Sequence, residues 1–164
     1  MAAKLRIGFV GAGFMGQLAH IRSYALLREE CDLVALAEPR RRTAELVAAR
    51  YGIERIYRDH HKLLASERLD GIVAAQRYQH HAALLPELYP HVSHLFTEKP
   101  LALGAAMGDR LAQLAREAGC VHMLGYQRRS DPATREAKRT VDAWKESGEV
   151  GALRYLRICY SDGD

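Results

Sequence analysis

The chain has little of what marks secreted, membrane-spanning or nucleic-acid-binding proteins. Three cysteines, Cys31, Cys120 and Cys159, occur in 164 residues. They are far apart, odd in number, and form neither a CxxC pair nor a zinc spacing. They read as reduced thiols of a cytoplasmic protein. No apolar run approaches the roughly 18 residues that cross a bilayer. The opening stretch MAAKLRIGFVGAG is broken by glycines before an apolar core of useful length forms, which argues against a secretory signal. The formal net charge is only +4, a mild excess that serves solubility. The dense basic spots, RRR at 40–42 and RR at 128–129, are short and placed in predicted loops. A nucleic-acid binder would interleave aromatics along a basic face. Neither a membrane nor a nucleic acid is expected as a partner, and no repeat, low-complexity tract or linker is evident.

What is present is alternation. Strand patterns fall at 5–10, 32–38, 55–59, 70–76, 93–99, 121–128 and 152–160. Between them, helical spacing of apolar residues covers 16–30, 41–52, 60–68, 80–89, 105–119 and 132–148. Gly52 and Gly119 are C-terminal stops, Asp59 can cap the helix after it, and Pro132 suits a first helical turn. Crossover segments long enough to be helices imply a doubly wound, mostly parallel α/β sheet covered on both faces.

VGAGFMGQ carries Gly11, Gly13 and Gly16 as G-x-G-x-x-G, directly after the first strand and opening a helix. That context raises an otherwise weak pattern. Gly11 permits the tight turn, Gly13 lets the backbone approach a pyrophosphate, and Gly16 lets helix and strand pack closely. Phe14 and Met15 lie inside the same loop. Glu38, 22 residues after Gly16 at the end of the second strand, can accept both hydroxyls of an adenosine ribose and repel a 2′-phosphate, which favours NAD. Arg40 and Arg41 follow at once and could hold a 2′-phosphate, so NADP stays open. Ligands of open α/β sheets sit at the carboxyl ends of the strands. Glu38, Gln76, Lys99 and Arg128 all occupy such ends. The stretch HLFTEKPLA, 94–102, therefore aims an acid, a base and a proline into a cofactor cleft. His60 and His61 read as exposed helix-start residues, and His91 and His94 straddle a loop and a strand, so no metal is expected.

These segments together resemble the glucose–fructose oxidoreductase / inositol dehydrogenase / MocA family. The likeness rests on GFVGAGFMG (8–16), Glu38, His81, EKP (98–100), GYQRRSDP (125–132) and SGEVGALRYLRI (147–158), in the family's order over essentially the whole chain. EKP is the specific element. The resemblance implies a Rossmann domain over 1–130, then a connecting helix and the first strand of a truncated substrate and oligomerisation domain over 131–164. It implies Lys99 near the nicotinamide and the reacting hydroxyl, stabilising alkoxide charge. Glu98 would approach the cofactor's sugar hydroxyls, and Pro100 would fix the turn, with a cis bond as one form. His81 matches a family histidine, and Arg129 a family arginine at the carboxamide end. Arg77 and Tyr78 replace the family's Pro-Asn, and Tyr78 either stacks on a ligand or covers the cleft. The resemblance implies an NAD(P)-dependent oxidoreductase that transfers hydride to or from a sugar, cyclic polyol or related hydroxy/keto compound, and it implies a homo-oligomer. The family's acid–base histidine belongs to the second domain, and no histidine follows His122. Two alternatives stand beside this reading. One is a non-catalytic dinucleotide-binding or redox-sensing module acting through a protein partner. The other is a Rossmann reductase of the dihydrodipicolinate or aspartate dehydrogenase type, which leaves EKP unexplained.

Overall fold

The structure, a computed structural model, describes residues 3–159. Strand β1 (Leu5–Val10) leads through the glycine loop into a π-helical segment, Gly16–Ile21, which continues as α1 (Arg22–Ala25). Next come β2 (Cys31–Ala37), α2 (Arg41–Tyr51), β3 (Arg55–Tyr57), α3 (His60–Ser66), β4 (Gly71–Ala74), α4 (His81–Leu88) and β5 (His94–Thr97). The last elements are α5 (Ala105–Glu117), β6 (Val121–Leu124) and α6 (Pro132–Ser147). The chain divides into two compact units, Met1–Gly125 and Tyr126–Asp164.

The first unit holds one six-stranded sheet in the order β3-β2-β1-β4-β5-β6, and every pairing is parallel. The chain winds outward from β1 to β3, then returns to place β4 on the other side of β1. This reversal opens a crevice beyond the carboxyl ends of β1 and β4. The expected doubly wound fold is the one that forms. Two apolar clusters pack the sheet. One joins Phe9, Leu33 and Leu36 to Ile21, Val47 and Ala48. The other joins Val10, Ile72 and Leu95 to Leu63, Leu85, Leu88 and Leu111. The π-segment, through Ile21, and helices α2–α5 therefore bury apolar side chains against the sheet, which supplies the main favourable term in folding.

The local stops behave as their chemistry requires. Gly52 and Gly119 take left-handed φ of 64° and 65°, which a Cβ disfavours. The Asp59 carboxylate accepts the Lys62 N–H at 2.9 Å and caps α3. In the second unit Pro132 occupies the first turn of α6, Asp131 caps it by accepting from the Thr134 N–H at 3.0 Å, and Gly148 ends it.

Two expectations fail. The helix expected over 16–30 ends at Ala25 and begins as a π-segment. Its remaining residues form tight turns, with Leu26 N–H on the Ser23 carbonyl and Leu27 N–H on the Tyr24 carbonyl. The chain must already be turning there, because β2 starts at Cys31 beside Leu5. The strand expected over 152–160 is absent from 152–159, and Tyr160 lies outside the described residues. Leu153, Tyr155, Leu156 and Ile158 are all exposed. An alternating pattern makes a strand only when a neighbour completes the hydrogen-bond ladder. Among the described residues no helix is long and apolar enough to cross a membrane.

Leu85 is fully buried between α4 and the sheet, whereas Leu26 is 80 % exposed. Leu85→Ala is expected to destabilise the chain by about 2–5 kcal/mol, and Leu26→Ala to stay within about 0.5 kcal/mol. Urea denaturation of the two variants checks both.

Candidate functional site

The glycine loop extends β1 across the mouth of the crevice. Gly11 continues the ladder by donating its N–H to the Ala37 carbonyl at 2.8 Å, then turns with φ 94°. A Cβ on Gly11 would meet the Gln76 Nε2 at 2.4 Å, so Gln76, from the end of β4, lies directly on the turn. A Cβ on Gly16 would stand 2.9 Å from the Gly11 carbonyl oxygen and 3.3 Å from the Ala75 Cβ. The π-segment can start against the loop only because Gly16 has no side chain. Gly13 is different: a Cβ there would meet nothing within 4 Å. Its backbone borders open space, which is the room a pyrophosphate needs beside a glycine, so the cradle fits a dinucleotide. Phe14 and Met15 are exposed on the loop.

The loop is held from below. The Ala12 N–H donates to Glu38 Oε2 at 2.8 Å, and the Ala12 carbonyl accepts from Gln17 Nε2 at 2.7 Å. Glu38 is buried, yet its carboxylate is well supplied with donors. Arg40 gives Nε to Oε1 at 2.8 Å and Nη2 to Oε2 at 3.0 Å, and its own N–H reaches Oε1 at 3.0 Å. Burial alone would raise the Glu38 pKa. The Arg40 side chain, the Ala12 and Arg40 N–H groups and the Arg40 charge outweigh it and hold the carboxyl below its ordinary value. Glu38 is thus an anion that fastens the loop to β2. Arg40 faces it as a two-pronged partner, while Arg41 turns away to Glu45 at 2.8 Å.

At the end of β5 the EKP residues separate by role. Glu98 Oε1 accepts from His20 Nε2 at 2.7 Å, and Oε2 accepts the Lys99 N–H at 3.3 Å. The His20 ring also lies against Phe96, with centroids 4.9 Å apart. Lys99 is exposed. Among the described residues its ammonium has neither a hydrogen bond nor an ion pair. The Lys99–Pro100 peptide is cis. His81 is fully buried, so it does not present its ring to the open cleft. Its Nδ1 bonds the Leu101 carbonyl at 3.0 Å. A carbonyl only accepts, so Nδ1 carries the proton, and His81 holds the turn after EKP.

Next to Glu98 in the chain, Thr97 begins a part-buried polar chain. The Tyr89 hydroxyl meets His122 Nδ1 at 3.0 Å, and His122 Nε2 meets Thr97 Oγ1 at 2.9 Å. Burial, with His81 nearby, pushes the His122 pKa down to about 4, so the ring is neutral at pH 7. Burial pushes Tyr89 up to about 12.

The fold brings Gly11, Gly13, Gly16, Glu38, Gln76, Glu98 and Lys99 to adjacent strand ends at one edge of the sheet. Arg129 lies in the second unit, in the turn Gln127–Ser130, with its guanidinium 5.9 Å from the Tyr126 ring centroid. Sequence reasoning missed His20, Gln17, Thr97 and His122. His20 and Gln17 were hidden because the π-segment shifts the helical register. His122 could have been suspected as a lone polar residue between Val121 and Met123 in a strand of only four residues.

A family model described as an oxidoreductase family with an NAD-binding Rossmann fold matches residues 5–126. The myo-inositol 2-dehydrogenase of Thermotoga maritima is 27 % identical over 158 residues, covering 96 % of this chain and 46 % of its own length. The inositol 2-dehydrogenase of Rubrobacter xylanophilus is 32 % identical over 162 residues, covering 98 % and 45 %. The crystal structure of an NAD-binding oxidoreductase from Klebsiella pneumoniae superposes with a TM-score of 0.75 at 31 % identity, over 91 % of this chain and 40 % of that one. The chain spans less than half the length of these relatives.

His122 generates a pH dependence. Its pKa is about 4 folded and 6.5 ordinarily, so between these values the unfolded chain binds the extra proton. The stability from keeping His122 neutral is full above pH 6.5 and is lost as pH falls toward 4. From pH 6.5 to about 5, before most carboxylates protonate, the loss is expected to be about 1–2 kcal/mol. Urea midpoints across that range should show this slope in the native chain and not in His122→Gln.

Proposed function

This chain belongs to the glucose–fructose oxidoreductase / inositol dehydrogenase / MocA family, and on that premise we propose that it is the cofactor-holding part of a nicotinamide-dependent dehydrogenase. The observation that carries the proposal is the separation of Glu98 from Lys99. Glu98 is engaged by His20 and the Lys99 N–H, while the Lys99 ammonium, one residue on, is left for a ligand. The glycine cradle stands two strands away across the same crevice.

Gly13 and the loop backbone would border the pyrophosphate, with Phe14 and Met15 flanking it. Glu38 would receive the adenosine ribose hydroxyls, and Arg40 would move on its exposed stem to admit them. The buried anion disfavours a 2′-phosphate, so NAD is preferred over NADP. Gln76 and Glu98 would contact the nicotinamide half. When bound, the nicotinamide supplies the hydride acceptor or donor. Lys99 donates a hydrogen bond to the substrate oxygen and stabilises its alkoxide character as the carbinol carbon loses or gains hydride. His81 acts by holding the Leu101 carbonyl, and so the turn that carries Lys99. Residues 131–164 would start the substrate domain. Relatives named as inositol dehydrogenases support a cyclic polyol or sugar as substrate, and the working form we propose is a homo-oligomer. Three unpaired thiols support a reducing, cytoplasmic setting.

Fluorescence titration tests the reading. The native chain is expected to bind NADH saturably and more tightly than NADPH. Gly13→Val, at a position where an added Cβ meets nothing within 4 Å, should fold normally by circular dichroism and lose the binding. Absence of NADH binding by the native chain would overturn the proposal. In a chain that includes the substrate domain, Lys99→Met should keep NADH affinity within a few-fold and lower kcat by roughly 10²–10³.

A further inference from the structure

The start of α3 carries two adjacent histidines that the cleft does not use. Asp59 caps the helix, and His60 and His61 come next with ring centroids 4.0 Å apart at an interplanar angle of 35°. Both rings turn toward one residue of another helix, Glu87 of α4. His60 Nε2 lies 2.5 Å from Glu87 Oε2, and His61 Nε2 lies 3.7 Å from the same oxygen. The ligating atoms of all three residues lie within 4.8 Å of one another.

We propose that His60, His61 and Glu87 form a binding site for a zinc-class divalent cation that ties the start of α3 to α4. A plain ion pair accounts for His60 and Glu87. It does not account for a second imidazole brought to the same carboxylate oxygen. A tetrahedral zinc with ligands about 2.0–2.1 Å away sets its donor atoms roughly 3.3 Å apart. The His60–Glu87 gap must open and the His61–Glu87 gap must close, each by less than about 1 Å. These are side-chain movements at a surface where His61 is 68 % and Glu87 47 % exposed. That exposure leaves room for water in the fourth position.

The donor chemistry selects the ion. Two imidazole nitrogens and one carboxylate oxygen suit zinc, cobalt or nickel, whereas magnesium and calcium require mostly oxygen. Charge also fits. The Glu87 carboxylate, already against both rings, supplies the negative charge that a divalent cation requires. Lys62, on α3, is the opposing charge nearest in sequence. The site takes its residues from α3 and α4, whereas the cradle is built from the loop after β1 and the ends of β2, β4 and β5. Its occupancy does not depend on the dehydrogenase reading.

Calorimetric titration of the chelator-stripped 164-residue chain with Zn²⁺, under a phosphine reductant, tests the proposal. Cys159 is exposed and thiols also bind zinc, so Cys159→Ser serves as the reference protein. Expected is one saturable equivalent in that protein, weakened roughly tenfold or more by His61→Asn and by Glu87→Gln. Excess Mg²⁺ should not compete. Zn²⁺ should raise the thermal midpoint of the reference protein and of neither ligand variant. Circular dichroism confirms that the variants fold, as the exposure of both positions leads one to expect. Zinc affinity unchanged in His61→Asn and Glu87→Gln would overturn the proposal, as would failure of the reference protein to bind one equivalent.

Discussion

Glu38 sits buried at the end of β2, with its carboxylate between the Ala12 N–H and the Arg40 guanidinium. A carboxylate in that position is tolerable only when its oxygens are supplied with donors, and removing one partner leaves an uncompensated charge. The consequence is geometric. The loop after β1 cannot drift from the end of β2, because its second residue, Ala12, is bound to that carboxylate through its N–H and to Gln17 through its carbonyl. The next residue, Gly13, borders open space. A pinned residue beside an open one gives the crevice its cradle.

A second fastening works across the crevice. His20 belongs to the π-segment that starts at Gly16, and its imidazole holds Glu98 at the end of β5. The segment that opens at the glycine loop thus reaches the strand that carries Lys99. A π-turn adds a residue to one turn of helix and rotates the side chains beyond it, and His20 lies inside that turn. Next to Glu98 in the chain, Thr97 is joined to Tyr89 by the neutral His122 ring. From the other side His81 holds the Leu101 carbonyl. The turn carrying Lys99 is therefore anchored on both flanks, and the exposed ammonium projects from a fixed backbone. Such support is what a charge-stabilising group needs if it is to act without reorganisation.

Much of this architecture is legible in the sequence. Alternating apolar runs and helical spacings locate six strands, and Gly52, Asp59 and Pro132 act where their backbone preferences place them. The cradle is legible because its chemistry is local. A positive φ at Gly11 and the missing Cβ at Gly16 are demands on single residues, and glycine answers both. The two failures share one cause. The segment after Gly16 and the expected last strand both depend on neighbours distant in sequence. Periodicity describes a segment alone, and it cannot say where a π-turn enters or whether a ladder partner exists.

The doubly wound plan, the glycine loop and the placing of Glu38, Gln76, Glu98 and Lys99 at strand ends are all written into the chain's order of residues. These features depend on side-chain period and backbone freedom, which are properties of neighbouring residues. Which groups those side chains meet is set when the elements pack together. Glu38 met Ala12 and Arg40, Glu98 met His20 across 78 positions, and His60 and His61 met Glu87 on another helix. The reason is that hydrogen bonds and ligand sets depend on distances of a few ångströms, and strand order and helix register set those distances.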